Sequence, residues 1–173
     1  MKTAISALRR PQFLRPLVLS FIVLSLAVAA LQASAQDTAQ GVITVNGKKT
    51  ELKHAYLFPI QSGSLKMRLL VSDKPLTAKA LGDHTARILE LRANNVHTLV
   101  FAFGDNDRLL GVQFAVPPLE GSWSHGDLKA ENTSRTEKAF KGRIYSVGTQ
   151  TFFKETFTFD VRFDAGIFAA TKY

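Results

Sequence analysis

Ser72, Asp73 and Lys74, followed by Pro75, place a hydroxyl, a carboxylate and an ammonium on consecutive residues. Such a set could serve nucleophilic or acid–base chemistry, but the spacing is wrong for it. Serine–lysine chemistry needs Ser-x-x-Lys, and no Gly-x-Ser-x-Gly elbow is present. The same residues describe a turn: Ser72 or Asp73 can bond backbone N–H groups just past a strand. Pro75 would fix φ at a first helical turn, where its missing donor is not needed. We read 72–76 as a turn or cap that could also contribute Asp73 and Lys74 to a binding loop.

His54, His84, His97 and His125 stand singly, none in His-x-His or His-x-x-x-His spacing, and cysteine is absent. No metal site or cofactor is therefore expected from sequence. His54 shares parity with Leu52 and Tyr56 and reads as an inward-facing core histidine; acid–base or ligand work is the alternative. An enzyme built on it would be a hydrolase pairing His54 with Asp73, Asp105 or Asp127. Asp105-Asn106-Asp107 after Gly104 resembles a calcium-loop fragment without its terminal glutamate, and a polar hairpin turn explains it. Trp123, in "EGSWSHG" beside His125, is either a platform for a ligand or partner or a plug at the open end of the fold. Tyr56 and Tyr145 could line the same rim. No catalytic residue is assigned, and the binding candidates are Trp123, His54, Tyr56, Asp73, Lys74 and His125.

The elements that must position these residues begin after an expected signal peptide. Lys2, Arg9, Arg10 and Arg15 precede an uncharged run over 17–31 and the small-residue site Ala33-Ser34-Ala35, the pattern of a leader cut after residue 35. Four of the 22 basic residues leave with it, so 18 face 14 acidic ones and the formal charge falls from +8 to +4. That balance is ordinary for solubility and gives no case for nucleic acid. No later segment has the length of a membrane span, so the expected destination is the periplasm or the medium.

Residues 36–40 read as a polar leader and 41–170 as a single β-rich domain. Asn46-Gly47 signals a hairpin, whose second arm is expected to stop at Pro59. A third strand covers 65–72. Past Pro75 the period changes to that of a helix over 83–95, capped by Asp83 and ended by Asn94-Asn95. A hairpin over 96–116 turns at "GDND", and 117–140 reads as loop or broken edge strand. In "TFFKETFTFDVRF" Phe153, Phe157, Phe159, Val161 and Phe163 share a parity opposite Thr156, Thr158 and Arg162, the strongest strand pattern in the chain. These features predict a mainly β protein, an antiparallel β-sandwich or partly open barrel with one short helix.

With "GVITVNGKKTELKHAYLF", "VSDKPL", "FKGRIY" and the closing aromatic strand, the chain resembles a family of exported bacterial proteins with Lys-His-Ala-Tyr and Ser-Asp-x-Pro-Leu segments. The matching pieces here are Lys53-His54-Ala55-Tyr56 and Ser72-Asp73-Lys74-Pro75-Leu76, within 41–168. The resemblance implies export and one β domain, and it brings no catalytic residue with it. The leading expectation is a non-enzymatic binding or envelope-associated domain for a protein or small ligand of the cell envelope. A periplasmic hydrolase using His54 and a structural envelope protein are the alternatives.

Overall fold

The computed structural model describes residues 37–124 and 126–168; the expected signal peptide and His125 lie outside them. In chain order the described residues form β1 (Thr38–Val45), β2 (Lys48–Ser62), β3 (Leu65–Ser72), α1 (Ala78–Gly82), α2 (His84–Ala93), β4 (Thr98–Phe103), β5 (Leu109–Val116), β6 (Leu119–Trp123), β7 (Leu128–Arg135), β8 (Ala139–Ser146), β9 (Gln150–Phe152) and β10 (Glu155–Ile167). One curled, almost wholly antiparallel sheet runs β6-β5-β4-β3-β2-β1-β10-β8-β7, with β9 paired to β10. It makes a half-barrel, so the partly open barrel is the architecture formed and the two-sheet sandwich is not.

Local signals set the hairpins. Asn46 and Gly47 take φ of 50° and 80°, the positive values a two-residue turn requires. Asp105–Asp107 form a 3-10 turn between β4 and β5, with Asn106 at φ 55°. The expected polar leader is instead the start of β1. Thr38 and Gln40 are exposed, Ala39 is buried, and all three pair with β10. Polar residues suit a strand whose outer face meets water, because the ladder needs only backbone. Where β1 has not yet begun, β10 reaches β2 directly and pairs parallel at Gly166↔Tyr56. Asp37 closes that fork: its carbonyl accepts from the Ala55 N–H at 3.2 Å and its carboxylate from the Gly166 N–H at 2.9 Å. Burial there raises its pKa, opposed by the Gly166 bond.

The inside of the curl is filled by aromatic rings. Phe101, Phe103, Phe114, Phe140, Phe157, Phe159 and Phe163 are all buried in one cluster with the aliphatic residues of β1 to β5. Along β10 the expected alternation holds: Phe157, Phe159, Val161 and Phe163 are buried, Thr156 and Arg162 exposed, Thr158 half-buried. A second, smaller cluster of Tyr56, Phe58, Leu70, Leu76 and Ala80 lies between the other face of the sheet and the helices. Asp83 caps α2 as expected, its Oδ1 accepting from the Ala86 N–H at 2.6 Å. Of that helix's large apolar residues Leu91 packs on the small cluster while Leu89 is exposed. Arg87 is buried instead, its guanidinium 3.8 Å from the centre of the Phe58 ring, an arrangement favoured by the ring's quadrupole.

Two expectations need correcting, and one open reading is decided. β2 does not stop at Pro59, which pairs with Met67; the strand goes on to Ser62 through an irregular stretch, where a missing N–H is tolerated. Of loop and broken edge strand, the segment 117–140 forms the latter: edge strands β6 and β7, with β7 interrupted by a register shift between Glu131 and Ser134. Phe153 leaves the core face altogether. It stands at the tip of the β9–β10 hairpin, 89% exposed and at φ 55°, because the run of aromatic residues contains a turn that parity alone does not reveal.

That turn carries a prediction. A residue with a Cβ at positive φ is strained by about 1–2 kcal/mol, and Phe153 recovers part of this through its contact with Phe152, the ring centroids being 4.6 Å apart. Phe153→Gly is expected to stabilise the protein by about 1 kcal/mol, read as a higher urea midpoint with an unchanged slope. A lower midpoint would show that the exposed ring matters more to stability than the backbone does.

Candidate functional site

At one end of the half-barrel the β1–β2 turn, the β3–α1 and α2–β4 links and the β5–β6 turn come together. Side chains on the inner parity of the strands emerge there from the filled interior. They border a pocket of about 160 Å³. Lys48 and Thr50 at the start of β2, His97 just before β4, and Asn46, whose amide is already bonded to Thr156 and Glu155, supply its polar side. Val45, Val116, Pro117 and Pro118 supply its apolar side. Barrel mouths are a common place for ligand sites.

His97 is held at several points. Its Nδ1 lies 2.9 Å from Asp73 Oδ2, its backbone N–H donates to Asp73 Oδ1 at 2.9 Å, and Asp73 N–H donates to the His97 carbonyl at 3.2 Å. The strand register brings this about: Ser72 pairs with Thr98, so the next residue outward on each strand faces the other. An ionised carboxylate only accepts, so Nδ1 carries a proton, and Nε2 is the ring's acceptor whenever the imidazole is neutral. Lys48 and Thr50 have no hydrogen-bond or ion-pair partner among the described residues, so their donors are open to a ligand.

The expected binding set is not brought together. The 72–76 segment is a joint: Ser72 Oγ donates to the Lys74 carbonyl at 2.7 Å, and Lys74 Nζ donates to the Asn94 carbonyl at 2.7 Å. The Leu76 N–H donates to the Tyr56 hydroxyl at 3.1 Å. Tyr56 is buried beneath the helices, and that burial raises its pKa against the effect of the Leu76 bond. His54 does not face the main core. The β1–β2 register shifts between Thr38 and Gly41, so Leu52 packs inside the curl while His54 stacks on Tyr56, ring centroids 6.5 Å apart. Among the described residues His54 has no hydrogen bond to a carboxylate or hydroxyl. Trp123 is a plug: its ring stands edge-on to Phe152 and Phe157 at 5.7 and 5.6 Å. His125 lies outside the described residues. Of the five described candidates only Asp73 belongs to the pocket's machinery, and it acts through His97.

Lys48, Thr50 and His97 were not singled out from sequence. Lys48 and Thr50 do share parity with the buried Leu52, which was the available signal for an inward-facing polar mouth. Asp105 and Asp107 are taken up by Lys66 at 3.7 Å and Arg135 at 3.1 Å, as turn residues would be. On the outer face of β8 and β10, Arg143 binds Asp160 through two nitrogens and lies over the Tyr145 ring. The carboxylate of Asp160 is held below its usual pKa by that hydrogen bond, with burial opposing. Those charges satisfy one another on a solvated face. No group of three or more His, Cys, Asp or Glu suited to a metal occurs among the described residues, and none of their helices is long and apolar enough to cross a membrane.

Together these observations define a small β half-barrel with its interior filled and a polar-rimmed pocket at one mouth. No protein-family model, curated protein or solved structure matches the chain.

Proposed function

We propose that the protein is an exported, non-enzymatic binding domain of the cell envelope that takes its ligand at the mouth bordered by Lys48, Thr50 and His97. The observation that carries this reading is the pocket itself, where unpartnered donors and an oriented histidine converge beside an apolar wall. Export rests on the leader pattern in residues 1–35, and the Lys-His-Ala-Tyr and Ser-Asp-x-Pro-Leu resemblance supports it. A purely structural role would leave the pocket without a purpose.

A second reading has one observation in its favour. The Asp73–His97 pair resembles an orienting carboxylate with a general base, so a hydrolase would use His97 rather than His54. No serine or threonine hydroxyl is hydrogen-bonded to His97 among the described residues, which is why binding is preferred. Native mass spectrometry of protein incubated with a low-molecular-mass envelope extract tests the proposal. Wild type should retain a ligand that Lys48→Met loses while melting normally. Equal retention by both would place binding elsewhere, and release of altered, hydrolysed ligand by wild type alone would favour the enzyme.

A further inference from the structure

Resting on that reading, we infer that the pocket recognises a carboxylate flanked by an N–H donor and a small apolar group, as at the C-terminus of a peptide ending in a small residue. The inference follows from matching the polar groups one by one. Lys48 carries an ammonium and Thr50 a hydroxyl, and both residues line the same pocket as His97. An ammonium and a hydroxyl both donate to a carboxylate, and with a charged partner such bonds are the stronger kind. His97 differs from them in sign. With Nδ1 turned to Asp73, Nε2 is the acceptor of the ring in its neutral form. A bare anion would leave that acceptor facing negative charge. A ligand with an N–H next to its carboxylate satisfies all three groups, and the terminal residue of a peptide has this arrangement.

The apolar side sets the size. Val45 and Val116 close the floor, and both are buried in the main core. The rings of Phe114, Phe157 and Phe159 fill the interior beyond, so nothing long can enter. A volume of about 160 Å³ equals on the order of five water molecules. That is room for an acetylated alanine, not for an extended chain. Pro117 and Pro118 present ring carbons at the rim and no N–H, so they add apolar contact without competing for the carboxylate.

Three probes separate the components of this recognition. N-acetyl-alanine carries carboxylate, N–H and methyl. N-acetyl-alaninamide lacks the charge, and O-acetyl-lactate replaces the N–H with an ester oxygen. Titrations into ¹⁵N-labelled protein, followed at the amides of Lys48, Thr50 and His97, should show saturable shifts with N-acetyl-alanine. Affinity should be about tenfold weaker for the amide and for the lactate ester. Lys48→Met should reduce binding of N-acetyl-alanine about tenfold and bring it level with the amide, while Thr50→Val should weaken it several-fold. Sulfate, which offers charge without any hydrogen-bond donor, should bind no better than the lactate ester.

The outcomes separate the two proposals. If acid and amide bind the pocket equally, the carboxylate is overturned and the binding pocket stands. If the lactate ester or sulfate binds as tightly as N-acetyl-alanine, the N–H contact to His97 is overturned. If no probe shifts these amides, the inference and the pocket reading both fall.

Discussion

Phe159→Ala is expected to bring the protein close to unfolding. Phe159 is 3% exposed on β10, with ring centroids 5.5 Å from Phe101 and 6.3 Å from Phe157. It thus joins the two halves of the filled curl. Truncating a buried phenylalanine typically costs about 3–5 kcal/mol, part lost transfer energy and part unfilled cavity. Whole domains are stable by about 5–15 kcal/mol, and without cysteine no covalent cross-link offsets the loss. Thr158→Ala, one residue away on the outer side of the same strand, should cost under about 1 kcal/mol. Urea midpoints of the two purified variants compare them directly. Equal midpoints would mean that β10 does not face the core as described, and with it the half-barrel would lose its central wall.

That strand was legible because its information is local: period two is written into residues 157–163, and one register then fixes every side chain. The Asn46-Gly47 turn and the Asp83 cap were legible for the same reason. What escaped depends on partners distant in the chain. The change of face within β2, which sends Leu52 inward and His54 towards the helices, exists because β1 shifts register beside it. Asp73 and His97 meet through the pairing of Ser72 with Thr98, and no spacing rule connects residues so far apart. Asp73 meets His97 rather than His54, and nothing in the local pattern of Lys48 and Thr50 sets them apart from other polar residues of a strand. Edge strands β6 and β7 could be told from loop only by the fold, since a strand with one open side has little apolar patterning to show.

A close approach of strands yields the second large effect. Gly41 pairs with Val161 across β1 and β10. A Cβ added there would lie 2.7 Å from Val161 Cγ2, and 3.0 Å from both the Asp160 carbonyl oxygen and Val161 Cα. The backbone at Gly41 is not in the left-handed region, so the obstacle is space alone. Val161 is fully buried, leaving its side chain no room to withdraw, and the other two contacts are backbone. Gly41→Ala must therefore push β1 away from β10. Overpacking of this kind costs about 1–3 kcal/mol, and each weakened ladder bond adds about 0.5–1.5 kcal/mol, so a loss of about 3 kcal/mol is expected. Gly82→Ala makes the control: nothing lies within 4 Å of its added Cβ. At the end of α1 it should be neutral or slightly stabilising. Adding Val161→Ala to Gly41→Ala removes the Cγ2 clash and leaves the two backbone contacts. The pair should then be more stable than the sum of the single losses predicts, by about 1 kcal/mol in a double-mutant cycle. Additive losses would show that the two positions do not touch, and the β1–β10 register drawn through Gly41 would have to be revised.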